Sequence, residues 1–175
     1  QSRQRYKNAP AQTKTRTQLI FSRENIMGEK SKKAKDLFLN GYNCAQSVFC
    51  AFCEDFDISF EQGLKLSSSF GGGMGRLREV CGTVSAMFMI AGLKYGYTEN
   101  NNDEVKAKHY KLIQELAEKF KQKYGTIICR ELLNKEPDGY IPEKRTEEYY
   151  AKRPCAKFVE YAAEIIEEKL MNHIS

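Results

Sequence analysis

The stretch DEVKAKHYKLIQELAEKFKQKY, residues 103–124, decides the fold class. Val105, His109, Leu112, Ile113, Leu116 and Phe120 recur at the 3.6-residue spacing of one helix face. Asn101 or Asn102 opens the segment, and Asp103 and Glu104 fall in its first turn, where the helix dipole favours acids. Gly125 stops it.

Moving outward, the same grammar repeats. Ser31 to Phe38 is a Lys-rich amphipathic start closed by Asn40-Gly41. Asn43 caps a helix predicted through about Glu54, whose apolar interior (Ala45, Val48, Phe49, Ala51, Phe52) marks it as central. Ser59 caps a short helix with Leu64 and Leu66. The run Gly71-Gly72-Gly73-Met74-Gly75-Arg76 is a loop, and Val80 to Leu93 is nearly all small or apolar, ending near Gly96. Thr126 caps a short helix predicted from Ile127 to Asn134. Pro137-Asp138-Gly139 and Pro142 mark a loop. Pro154 falls in the first turn of a last helix, where Phe158, Val159, Ala162, Ile165, Ile166 and Leu170 share a face. No segment alternates with period two. The expected fold is all-α, a compact bundle of about five longer helices plus short ones.

Composition narrows the function classes. The 175 residues suit one domain. The longest apolar stretch, Val84 to Leu93, is far short of the ~20 residues that span a bilayer. The net charge of +5 comes from 28 basic and 23 acidic side chains. Residues 1–26 hold six of the basic ones (Arg3, Arg5, Lys7, Lys14, Arg16, Arg23) and one acid, Glu24, so the remaining residues are neutral overall. That body has no electrostatic reason to seek phosphate backbones, and neither a nucleic acid nor a membrane is expected as its partner. Residues 1–26 read as an N-terminal extension, either a tag remnant, a mis-called start or a disordered arm, with 27–175 as the single helical domain. The alternative is a basic arm that touches nucleic acid or a membrane surface.

Six cysteines carry most of the information: Cys44, Cys50, Cys53, Cys81, Cys129 and Cys155. The cytoplasm is the expected compartment, where structural disulfides are uncommon. Cys44 follows the cap Asn43, Cys81 follows the glycine-rich loop, Cys129 lies three residues after Thr126, and Cys155 follows Pro154. All four therefore fall at predicted helix starts, where free N–H groups favour negative charge and a thiolate pKa is lowered. Four such cysteines suggest that helix N-termini converge on one sulfur-rich site. The competing reading is that each simply packs, as free cysteine often does. Cys50-Ala51-Phe52-Cys53 spells C-x-x-C, but it lies mid-helix with no βαβ pattern around it and reads as core.

Three segments with these cysteines resemble the C_GCAxxG_C_C family of redox-active proteins. They are Gly41-Tyr42-Asn43-Cys44-Ala45-Gln46-Ser47-Val48, Phe70-Gly71-Gly72-Gly73-Met74 and Glu79-Val80-Cys81-Gly82-Thr83-Val84-Ser85-Ala86, followed by Cys129-Arg130-Glu131-Leu132-Leu133 and Cys155. The resemblance covers about residues 31–168. It departs at Thr83, where the family has Ala, and at Ala86, where it has Gly. It implies that Cys44, Cys81, Cys129 and Cys155 are the family's four cysteines. The family name records a suspected redox role and no reaction.

Other motifs are weaker. Residues 71–76 lack the Gly-Lys-Ser/Thr of a P-loop and the preceding strand of a dinucleotide fingerprint. The loop is expected to be a tight helix-to-helix passage that lets backbone approach Cys81, the alternative being that its N–H groups hold an anion, and Gly71, Gly72, Gly73 and Gly82 are expected at the cofactor. His109 reads as a core histidine, and His173 falls in the tail. Glu79 with Arg76 or Arg78 flanks Cys81 and is expected to pair on the surface, the alternative being that these residues tune the Cys81 thiolate. Three functions stay open. In the first, the four cysteines ligate an iron–sulfur cluster or other metal for electron transfer. In the second they exchange thiols and disulfides without metal. In the third a Cys₄ metal site only stabilises a non-catalytic module. The redox partner has no signature in the sequence, and homo-oligomerisation is open.

Overall fold

A helix that is apolar all round must be covered on every side, and the chain contains two of them. The computed structural model describes residues 28–171, so the expected extension 1–26 and His173 lie outside the described residues. Among the described residues, eight α-helices of five residues or more run in order: α1 (Glu29–Leu39), α2 (Cys44–Phe52), α3 (Phe60–Ser67), α4 (Gly82–Tyr95), α5 (Asp103–Tyr124), α6 (Cys129–Leu133), α7 (Glu147–Lys152) and α8 (Cys155–Ile166). Among the described residues there is no strand, and one antiparallel bridge joins Val80 to Ile128. The fold is all-α, with five longer helices, α1, α2, α4, α5 and α8.

Helices α2 and α4 are the two apolar ones. Packing α2 against α1, α3, α4 and α8 puts Val48, Phe49, Ala51 and Phe52 out of water. Helix α4 contributes Val84, Ala86, Met87, Ile90 and Ala91, and α5 lies on it through Leu116 and Phe120. Burying one such side chain contributes about 1.5–3 kcal/mol. His109 is half-buried on α5, with its ring edge-on to Tyr97 at 5.9 Å. Cys50 and Cys53 are fully buried core residues, and the Cys53 thiol donates to the Cys50 carbonyl at 3.5 Å. Among the described residues, no helix is long and apolar enough to cross a membrane.

Some boundaries differ from the sequence reading. Helix α2 tightens into a 3₁₀ turn at Cys53–Phe56 instead of continuing to Glu54. Thr126 does not cap α6. Its hydroxyl accepts from the Ile128 N–H, and the helix begins only at Cys129. Pro154 sits one place earlier than expected, at the N-cap of α8. Helix α7 is a short element whose single turn and a half carries no apolar period to reveal it. At α1, Gly28 has no capping side chain, and the buried Glu167 carboxylate from beyond α8 accepts from the Gly28 and Lys30 N–H groups instead.

Candidate functional site: four cysteines around one cavity

Asn43 starts the site. Its Oδ1 accepts from the Ala45 and Gln46 N–H groups at 3.0 and 2.9 Å, and the Gln46 side chain accepts from the Asn43 N–H at 3.1 Å. This capping box fixes Cys44 as the first residue of α2. Asn43 Nδ2 also donates to the Ser68 carbonyl at 3.1 Å, tying that helix start to the segment leading into the glycine-rich turn.

The turn then reverses the chain through backbone that side chains disfavour. Gly72, Gly73, Met74, Gly75, Arg76 and Arg78 all have φ between 59° and 73°. At Gly73 a β-carbon would stand 2.6 Å from the Cys129 β-carbon and 2.9 Å from the Glu79 nitrogen. The missing side chain is what lets α6 approach. The Val80–Ile128 bridge finishes the placement: the Cys81 N–H donates to the Ile127 carbonyl at 2.8 Å, and the Cys129 N–H to the Glu79 carbonyl at 2.7 Å. Two residues 48 positions apart are thereby held side by side. Cys155 is the first residue of α8, following Pro154.

All four of these cysteines line one cavity of about 200 Å³. Cys44, Cys129 and Cys155 are the first residues of α2, α6 and α8, and Cys81 is the N-cap of α4. Cys50 and Cys53 do not line it. All six thiols are free. Gly71 and Gly72 line the cavity, whereas Gly73 and Gly82 pack behind the cysteines. Among the described residues, no group of three or more Cys, His, Asp or Glu side chains is close enough to hold a single metal ion.

For Cys81, Cys129 and Cys155 the expectation that a helix start lowers the thiol pKa is overturned. Burial pushes the Cys81 thiol up, and the neighbouring Cys44 adds to that. Burial likewise raises Cys155 to about 12, again with Cys44 adding, while Arg153 opposes the shift. Burial also raises Cys129, against a hydrogen bond from Arg78. Loss of hydration outweighs the dipole because these sulfurs sit inside the bundle and not on its surface. The Cys81 sulfur lies 3.2 Å from the Thr83 hydroxyl, a contact that an alanine at this position would lack.

Arg145 and Arg153 also line the cavity and had no role in the sequence reading, which named Arg76 and Arg78 and placed them on the surface. Glu79 does pair with Arg130, at 2.8 Å. Arg78, however, is buried, with its side chain 1% exposed, and it pairs with Asp138 at 3.0 Å. Arg76 meets the same carboxylate at 2.6 Å, and Lys135 reaches it at 2.8 Å. Arg145 stacks between Phe38 and Tyr149, with its guanidinium carbon 4.9 and 4.8 Å from the ring centres. Arg153 stacks on Tyr149 from 4.7 Å and pairs with Glu143 at 2.5 Å. One local signal was available: Arg78, Arg130 and Arg153 each lie within three residues of a cavity cysteine.

Comparison with known proteins bears on what this site is for. No curated protein and no solved structure matches the chain. One family does match, over residues 42–169, a span that holds all four cavity cysteines and the glycine-rich turn. With most of its length in that match, the chain belongs to the family described as "Putative redox-active protein (C_GCAxxG_C_C)".

Proposed function

We propose that this protein is an electron carrier in which Cys44, Cys81, Cys129 and Cys155 ligate an iron–sulfur cluster. One observation carries the reading: four cysteines from four different helix starts line a single cavity of about 200 Å³. A lone tetrahedral ion with ~2.3 Å metal–sulfur bonds needs its ligands drawn tightly together. Among the described residues, no such grouping exists. A cluster occupies volume and takes its thiolates from around it, which suits a cysteine-ringed cavity. When bound, the cluster supplies a site for one electron at a time.

The chain's own residues have definable tasks. The four cysteines hold and orient. Arg78 and Arg153, beside Cys129 and Cys155, counter the charge that thiolates bring into the bundle. N–H groups near the sulfurs raise the potential of such a centre. Gly71 and Gly72 present backbone to the cavity, and Gly73 and Gly82 leave the room in which the cysteines approach.

The test is a preparation made without oxygen, analysed for iron, acid-labile sulfide and visible absorption. Iron with sulfide and broad visible absorption, both lost when any one of the four cysteines is changed to Ser, is the expected result. Zinc without colour would favour a structural Cys₄ site. Absence of any metal would leave thiol–disulfide chemistry, which thiol titration before and after mild reduction would then read.

A further inference from the structure

The cavity carries more positive charge than its walls neutralise. Arg76, Arg78, Arg145 and Arg153 all line it, and Glu143 is the acid that lines it with them. Arg76 and Arg78 share Asp138, and Arg153 takes Glu143. Among the described residues, Arg145 has no carboxylate partner, and its Nη2 reaches the Tyr42 carbonyl at 3.5 Å. Among the described residues, two guanidinium nitrogens in this wall are buried with no hydrogen-bond acceptor, Arg78 Nε and Arg145 Nη1. Buried donors on a charged group are costly to leave unpaired, so an acceptor is expected there.

The remaining walls say what kind of acceptor. Phe38, Tyr149, Leu132 and Phe158 give the cavity apolar sides. Stacking on Phe38 and Tyr149 fixes the plane of the Arg145 fork, the geometry in which guanidinium meets a planar carboxylate. An apolar cavity of ~150 Å³ takes a molecule the size of benzene. A space of about 200 Å³ admits a comparable body carrying one acidic group.

We propose that this cavity binds a small organic carboxylate, its oxygens accepting from the unpartnered N–H groups of Arg78 and Arg145 and its apolar body lying against Phe38 and Tyr149. A cluster and a benzene-sized body cannot both fill a cavity of about 200 Å³, so the carboxylate is a ligand of the iron-free protein that a bound cluster excludes, and this site goes beyond the electron-carrier reading.

Calorimetric titration with benzoate, acetate and inorganic phosphate tests the proposal, on protein shown by analysis of the same sample to be free of iron and sulfide. Benzoate is expected to bind saturably, one per chain, and more tightly than either acetate or phosphate. Arg145→Gln is expected to weaken it by about tenfold or more, the scale of a lost charge-assisted hydrogen bond. No saturable benzoate binding, equal binding in Arg145→Gln, or tighter binding of phosphate each overturns it. Should that variant fail to fold, the unaltered protein still decides the matter. Saturating benzoate is expected to slow alkylation of Cys44 and Cys155, and unchanged rates overturn the proposal. Absence of benzoate binding to iron-free protein defeats this site and leaves the electron carrier, whereas failure of the protein to take up iron and sulfide, with benzoate still bound, does the reverse.

Discussion

The sulfur of Cys44 packs so closely over Gly82 that a β-carbon on Gly82 would stand 2.7 Å from it and 2.6 Å from the Phe70 carbonyl oxygen. The starts of α2 and α4 therefore meet at a point where only a hydrogen fits. Phe70 leads directly into the glycine-rich turn, so the same contact also fixes where that turn begins.

Gly82→Ala tests this contact. Overpacking at such a site costs about 1–3 kcal/mol, and the closest obstacle here is backbone, which yields less readily than a side-chain tip. The unfolding free energy read from urea denaturation is expected to fall by that much, together with any iron the protein holds. A variant as stable as the parent would show that the two helix starts have freedom the packing denies them.

Asn43→Ala removes the cap that sets the start of α2. Loss of an N-cap side chain costs typically about 1 kcal/mol. Here the bond from Asn43 Nδ2 to Ser68 is lost as well, so the cost is expected to exceed that of Ser59→Ala, whose capping box is exposed and local. Thermal or urea unfolding of the two variants side by side reads the difference.

Acid sensitivity is expected to centre partly on Asp138. Lys135 and Arg78, helped by Arg76, hold its carboxyl well below the usual carboxylate range. A depressed folded-state pKa gives stability that is present above the unfolded value of about 3.9 and lost as pH falls through the folded one. Asp138→Asn is expected to lower stability at pH 7 and to flatten the stability profile below about pH 4. An unchanged profile in the variant would assign acid unfolding to other carboxylates.

Cys50 and Cys53 are expected to behave as core residues and not as part of the site. Burial and the neighbouring Cys53 push the Cys50 thiol up to about 12. With the folded pKa raised, its stabilising contribution is full below the unfolded value of about 8.5 and is lost as pH rises towards 12. At pH 8 an alkylating agent should leave both thiols intact in native protein and modify them in denaturant, as mass spectrometry of digests will show. Iron and sulfide contents should be unaffected in Cys50→Ala and Cys53→Ala. Depletion of iron in either would move these residues into the ligand set.

The local rules of helix formation are written in single segments, which is why the helices were legible. The 3.6-residue spacing along α5, the Asn43 and Ser59 caps and the stops at Gly96 and Gly125 each depend on neighbours within a turn or two. So does the position of Cys44, Cys129 and Cys155 at helix starts. The α6 boundary was misread because a threonine near a helix start satisfied an N–H of the preceding loop instead.

What the sequence determined, then, was an all-helical chain with four cysteines at or beside helix starts. Only the tertiary structure decided that those starts face one another, because the contacts responsible join distant segments: the Val80–Ile128 bridge, Gly73 under Cys129 and Gly82 under Cys44. It also set the direction in which the Cys81, Cys129 and Cys155 thiol pKa values move. Position in a helix is a local property and favours the thiolate, but burial depends on everything packed around it, and here burial is the larger effect. The arginine wall has the same origin. Arg78 and Arg145 lie 67 positions apart, and no pattern within either segment announces that both line the cavity that holds the cysteines.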